Sequence, residues 1–167
     1  MRLFLSCAAL IGLAISGYPA ALSTQSACPP PRKVPADRVL IVSAETVALA
    51  QTRVPGVGTT LYDGGTFAAS GLRRDNAEEG PVRHAITTEV YVIQSGSGTY
   101  TSGGTLVGPL TQHPGVKDAT FGTAIQGGES HEVKAGDVVV IPAGVPHQFT
   151  AIHRPVAYIN VKFEAKK

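Results

Sequence analysis

Charge is scarce in this chain. Charged side chains make up 16% of its 167 residues and leave a net charge of only +2 at pH 7. So small an excess gives no basis for binding nucleic acid or an anionic membrane surface. Arg32, Lys33 and the terminal Lys166-Lys167 read as solvated tail charges, and no basic stripe interleaved with aromatics runs through the sequence. Cysteine is nearly missing, with Cys7 and Cys28 as its only occurrences. There is also no internal repeat and no low-complexity tract. What the chain has in quantity is turn residues: 19 Gly and 12 Pro, nearly a fifth of the whole. That composition suits short strands joined by turns better than a helical bundle, in one domain long enough to bury a core.

The first residues read as a targeting segment. Met1-Arg2 is a short positive start, Leu3 to Ser16 is apolar, and small residues follow, including Ala20, Ala21 and Ser23. This is the layout of a secretory signal over residues 1–23, its apolar part short for a bilayer span, with cleavage expected between Ala21 and Ala27. The alternative is an uncleaved N-terminal anchor. An exported product, periplasmic or secreted, follows from the first reading. Losing Arg2 takes the net charge from +2 to +1, and losing Cys7 leaves Cys28 without an internal disulfide partner. Cys28 is either an ordinary thiol or a lipid-attachment point, although Gln25-Ser26-Ala27 lacks the aliphatic residue usual before such a cysteine. Residues 24–42, with Pro29-Pro30-Pro31 and Pro35, form a stiff extended leader, and 43–167 a single domain.

Ser43 to Gln51 predicts a short helix, with Ser43 as its cap and Glu45 in the first turn. From Thr59 onward the punctuation is that of β structure. Strands are expected at Thr66 to Arg73, Glu89 to Gln94 (closed by Ser95-Gly96-Ser97-Gly98), Thr99 to Thr101, Thr105 to Val107, Phe121 to Gln126 and Glu129 to Lys134. Val138 to Ile141 is a continuous apolar run that predicts a strand buried on both faces. Gln148 to Ile152 and Val156 to Phe163 read as a terminal pair around a turn at His153-Arg154-Pro155. Many short strands at such spacing indicate a sandwich or barrel. Pro109 to Thr120 is a long polar loop that contains His113.

Two imidazoles and a carboxylate form the donor set of an open metal site, and His84, Glu89 and His147 supply one. The segment Gly136-Asp137-Val138-Val139-Val140-Ile141-Pro142-Ala143-Gly144-Val145-Pro146-His147 and the segment around His84, Glu89 and Gly96 together resemble the two motifs of the cupin superfamily. Gly136, Pro142, Gly144 and His147 match the second motif, with Ala151 where Asn is usual. His84, Glu89 and Gly96 match the first, with Val82 in the place of its first His and Asn76 in that of its opening Gly. The resemblance covers roughly residues 60–163. It implies an all-β fold, a double-stranded β-helix or jelly-roll barrel with one short N-terminal helix, and a tendency to form homodimers.

The spacing has its own logic. His84 and Glu89 are an odd number apart, so on one uninterrupted strand they would face opposite sides. They converge only if Ala85-Ile86-Thr87-Thr88 holds a turn or bulge. Glu89, Tyr91 and Ile93 then share one side and Val90 and Val92 the other, which predicts a wall packed on both faces. A carboxylate buried there is costly unless paired or metal-bound. Tyr91 and Phe149 are the candidate walls of a substrate pocket beside the ion. His131 and His153 read as exposed, and one of Arg73, Arg74 and Arg83 is a candidate for binding a carboxylate ligand.

The expected cofactor is one divalent metal ion; Fe, Mn, Zn, Ni and Cu are not distinguished by this donor set. The expected ligand is a small molecule. Two functions fit: a metal-dependent oxygenase or isomerase-like enzyme, and a non-catalytic module binding a sugar or organic acid with or without metal. Val82 and the lack of a general acid or base beyond the ligands motivate the second.

Overall fold

The computed structural model describes residues 39–52, 54–112, 116 and 118–164, and its helix α1 (Ala44–Thr52) starts where Ser43 can cap it. The Ser43 hydroxyl accepts from the Thr46 amide at 3.3 Å. The signal segment 1–23, the leader up to residue 38, Cys28 and His113 lie outside the described residues. The strands follow in order: β1 (Thr59–Asp63), β2 (Phe67–Arg74), β3 (Val82–His84), β4 (Thr87–Ser102), β5 (Thr105–Val107), β6 (Thr111–Gln112), β7 (Ala119–Phe121), β8 (Ala124–Gln126), β9 (Glu129–Lys134), β10 (Val138–Ile141) and β11 (His147–Glu164). Nine of them make one antiparallel sheet, and β5 and β8 pair separately. This is the all-β jelly-roll architecture that the cupin resemblance implies.

A long ribbon of β4 and β11 organises the molecule. The two strands pair from Thr87↔Glu164 to Ser102↔His147. The far edge of β4 takes β10 along Glu89–Val92 and β9 along Ser97–Ser102. The far edge of β11 takes β2 along Val156–Phe163 and touches β3 where His147 faces Val82. Between these two sets of partners the register shifts repeatedly, from Phe149 to Tyr158. Bulges of this kind bend a strand and tolerate Pro155, which has no amide to give. On β2, Gly71 allows the helix to come close, because a Cβ there would lie 2.9 Å from the Cβ of Ala50.

The core sits inside the bent ribbon. Tyr91, Ile93, Tyr100, Phe149, Val156 and Tyr158 are buried in one cluster with Leu72, Val133 and Ile141. Tyr100 and Phe149 meet edge to face at 4.8 Å between centroids, Tyr91 and Tyr158 are tilted at 4.7 Å, and Tyr91 and Phe149 are stacked at 6.5 Å. Contacts of this geometry add to the area such rings bury.

Four sequence expectations need correction. The Ser95–Gly98 segment does not close a strand: β4 runs through it, because Gly96 (φ 82°) absorbs the bend without ending the pairing. The terminal pair is a single strand, since the bulges around His153–Pro155 turn the chain only partly. Phe121 to Gln126 is two short strands, broken at Gly122-Thr123. The Val138 to Ile141 strand is buried on one face only, with Val138 58% and Val140 61% exposed. Its hydrogen-bonded neighbour Val92 is also exposed, at 39%, so this wall packs inward on one face, through Glu89, Tyr91 and Ile93 of β4 and Val139 and Ile141 of β10.

Candidate metal centre

Three strand ends deliver three buried polar side chains to one place. His84 is the last residue of β3, Glu89 the third of β4 and His147 the first of β11, and each is 5% exposed or less. The turn required between His84 and Glu89 exists at Ala85-Ile86, as the spacing predicts. Asp118 holds it: its Oδ2 accepts from the amides of Ile86 (2.8 Å) and Thr87 (3.0 Å), and its carbonyl accepts from Ala85 (3.0 Å). On the other side, Gly144 (φ 88°) makes the turn into β11 and donates its amide to the His84 carbonyl at 2.7 Å. The two motif segments are thus hydrogen-bonded to each other.

The ligating atoms of His84, Glu89 and His147 all lie within 4.8 Å of one another. Each ring is fixed from behind. His147 Nδ1 is 3.0 Å from the Val145 carbonyl, which can only accept, so Nδ1 carries the proton. His84 Nδ1 is 3.2 Å from Asp118 Oδ1. Partial burial opposes ionisation of Asp118, but the Ile86 amide and His84 outweigh it and hold the carboxyl below its usual range. Burial pushes the His84 imidazole down against the pull of Glu89, towards the neutral form that ligates. With Nδ1 tied back in this way, the neutral form of each ring presents its Nε2 lone pair towards the interior.

Glu89 faces them. Its Oε2 is 3.0 Å from His147 Nε2 and 3.7 Å from His84 Nε2. The closer contact is off the line of a hydrogen bond, and His147 Nε2 is buried with no hydrogen-bond partner among the described residues. Burial disfavours the Glu89 anion, yet His147, Lys162 and His84 outweigh it and hold the carboxyl far below the ordinary range. Two lone pairs and a carboxylate oxygen converging on one point repel each other unless a cation lies between them. These residues fit a divalent ion, with imidazoles oriented by a carboxylate and a carbonyl as metal-bound histidines usually are.

The other oxygen of Glu89 is occupied differently. Oε1 lies 2.9 Å from Lys162 Nζ and accepts from Asn160 Nδ2 at 2.9 Å. Lys162 stands directly opposite Glu89 on the paired strand, and Asn160 opposite Tyr91. The hydroxyl of Tyr91 is 3.4 Å from Oε2. A cavity of about 1010 Å³ opens beside this cluster, lined in part by the three candidate ligands with Tyr91, Asn160, Lys162 and Val82.

Of the two candidate pocket walls, Tyr91 lines the cavity and Phe149 does not. Phe149 shares a face of β11 with His147, but two residues further along it is fully buried beneath Tyr91 and Tyr100. Arg74 is the inward-pointing arginine, and it is engaged by Glu78 and by the Tyr158 hydroxyl at 2.9 Å. Arg73 pairs with Asp75 at 2.7 Å. His131 and His153 are on the surface, as expected, with side chains 63% and 50% exposed. Asp118, Asn160 and Lys162 were not apparent from the sequence. For the last two a signal existed: Val156, Tyr158, Asn160 and Lys162 continue one alternating face of the final strand, so polar residues follow apolar ones inward.

A family model for the AraC-like ligand binding domain matches residues 123–167. No curated protein sequence matches the chain. Among solved structures, a protein of Bacillus halodurans superposes with a TM-score of 0.52 at 14% identity, over 79% of this chain and 86% of its own. Hydroquinone 1,2-dioxygenase from Sphingomonas sp. TTNP3, solved with 4-hydroxybenzoate bound, gives 0.52 at 17% identity over 77% and 82%. A cupin protein from Bacteroides fragilis gives 0.46 at 18% identity over 70% and 85%.

Proposed function

Taking as premise that the chain has the double-stranded β-helix fold of the cupins, we propose that it binds one divalent metal ion through His84, Glu89 and His147 and acts there on a small organic ligand. The observation that carries this reading is the convergence of two lone-pair nitrogens, each with its Nδ1 tied back, on one oxygen of a buried carboxylate. An ion so bound supplies Lewis acidity, and three protein ligands leave two or three octahedral positions for water or ligand. The chain's own residues do the rest. Asp118 and the Val145 carbonyl set the tautomers, Asn160 and Lys162 hold Glu89 by its second oxygen, and Tyr91 lines the cavity beside them. Oxygenase or isomerase-like chemistry on a small acid, sugar derivative or phenolic compound is compatible with such a site. The metal content of natively purified protein, against a His147→Ala variant, tests the reading. Near-stoichiometric metal in the wild type and about tenfold less in the variant is expected; equal content in both would overturn it.

A second reading is favoured by the ion pair between Lys162 and Glu89. That pair supplies the carboxylate with a cation before any metal binds, and Val82 withholds a fourth ligand. In this reading the barrel is a binding module, consistent with the ligand-binding family model at its C-terminal end. Thermal-shift screening with and without chelator separates the two. Stabilisation by ligand that chelator leaves unchanged favours binding alone, and turnover that chelation abolishes excludes it.

Export and homodimer formation belong to the same proposal. The first is supported by the composition of residues 1–23, and the N-terminal residue of the secreted product tests it. The second is supported by the exposed apolar strip of Val92, Val138 and Val140, which a second copy would cover.

A further inference from the structure

Among the described residues, one arginine and one lysine, Arg74 and Lys162, line the cavity. Arg74 is committed to Glu78 and Tyr158, whereas the Lys162 side chain lines the cavity, is 37% exposed and pairs with Glu89. An ammonium has three N–H donors. Glu89 takes one of them, at 2.9 Å, and the stem of Lys162 rises from β11 directly opposite Glu89. The carboxylate is divided between two tasks. Oε1 faces Lys162 and Asn160, and Oε2 faces the two imidazoles. The side chains that would hold an ion, Glu89 through Oε2 and the two imidazoles, line the same cavity as the ammonium.

The charge of the loaded cluster then has a definite sign. At the ion itself, a divalent charge and Lys162 stand against the single charges of Glu89 and Asp118, a local excess of one positive charge, while Asp75, Glu78, Glu79 and Glu164 lie elsewhere on the cavity lining with Arg74. A neutral ligand leaves that excess uncompensated, and an anionic one removes it.

We propose that Lys162 anchors the carboxylate of the ligand, which bridges the ammonium and an open position on the metal. The ligand class is the small carboxylic acids, with 2-hydroxy acids suited to chelate the ion through the neighbouring hydroxyl. This rests on the metal reading given above. The contact is charge-assisted on both sides, which makes it stronger than a neutral hydrogen bond and selective for an oxyanion.

The test uses Co²⁺-loaded protein and two probes, lactate and its neutral counterpart lactamide, titrated while the visible absorption of the bound Co²⁺ is followed. Co²⁺ affinity is measured first for each variant so that all are equally loaded. Lactate is expected to bind at least about tenfold more tightly than lactamide. Lys162→Met and Lys162→Gln should each reduce that preference to about twofold or less, and Lys162→Arg should retain most of it. A wild type that takes up no Co²⁺ overturns the metal reading and this inference with it. A wild type that takes up Co²⁺ but does not prefer lactate overturns this inference alone, whether or not any variant folds. A folded Lys162→Met or Lys162→Gln protein with an undiminished preference does the same.

Discussion

Asp118 Oδ1 lies 3.2 Å from His84 Nδ1, while its other oxygen receives the amides of Ile86 and Thr87. One carboxylate thereby fixes both the tautomer of a candidate ligand and the bend that brings that ligand towards Glu89. Asp118 itself sits at φ 58°, in the left-handed region that Asp and Asn tolerate better than most residues. Replacing it by Ala removes the ring partner and strands two amides. Divalent-metal affinity should fall about 10–100-fold, the usual effect of losing such a partner. Isothermal titration with Zn²⁺ against the wild type reads this. Asp118→Asn, which keeps the backbone preference and one acceptor, should lose less than Asp118→Ala. Equal affinities in all three proteins would show that Asp118 does not orient the ring.

Glu89 has a different weight because it is paired whether or not metal is present. It is 1% exposed and answers Lys162, Asn160 and His147. Glu89→Gln keeps the shape but removes the charge, leaving Lys162 without its partner. Lys162 reaches solvent, so the cost should be moderate, about 1–3 kcal/mol, rather than that of a fully buried broken pair. Chemical denaturation of the chelator-treated proteins checks it. The same variant should lose measurable metal binding, which makes stability and metal content separable readouts of one residue.

Gly96 carries the bend of β4. Its φ of 82° suits glycine, and an added Cβ would overlap the carbonyl oxygen of Pro155 on β11. Both objections fall on backbone that cannot easily move. Gly96→Ala should destabilise the domain by about 1–3 kcal/mol or more, seen as a lowered melting temperature. Gly103→Ala is the control: φ is also 82°, but a Cβ there meets nothing within 4 Å. It should cost less than Gly96→Ala, and the opposite order would contradict the clash.

These two glycines also show where the sequence was informative. Turn residues and motif spacing were enough to anticipate the barrel, the capped helix and the convergence of His84, Glu89 and His147. They did not separate a glycine that ends a strand from one that bends it, because local punctuation is the same in both cases and the difference lies in the partner strand. The burial of β10 was misjudged for a related reason. A run of four apolar residues states that a strand is comfortable in a core, but which face meets water depends on what packs over it. Asp118 was hidden because it acts across 34 residues from a polar loop, and no periodicity marks such a residue. Lys162 was hidden behind an expectation that a ligand-binding cation would be an arginine.

The exposed strip of Val92, Val138 and Val140 gives the homodimer proposal a direct check. Val138 and Val92 are cross-strand partners, and Val140 faces the same way two residues along. Val140→Glu places a charge where a second copy would lie but where a monomer meets only water. If the strip is the interface, light scattering should show a shift from dimer to monomer at micromolar concentration. If the protein is a monomer, the substitution should change neither mass nor stability by more than about 0.5 kcal/mol.

Val82 offers the most direct gain-of-function experiment. It is two residues before His84 on β3, so the two side chains share a face, and both line the cavity beside Glu89. Its cross-strand partner is His147. An imidazole introduced there approaches the same point as the three existing donors, from the side that Val82 now closes with methyl groups. Val82→His should therefore raise Zn²⁺ affinity by about tenfold or more, each tenfold being 1.4 kcal/mol of additional binding. The cost is desolvation of one more polar ring in the metal-free state, which should appear as a lower melting temperature in chelator that metal restores. The two effects have opposite signs, and a protein acquiring a fourth ligand must show both. Unchanged affinity with no loss of apo stability would place the new ring in solvent, and lower affinity would mean that it displaces His84 or His147 from the position the backbone now gives them.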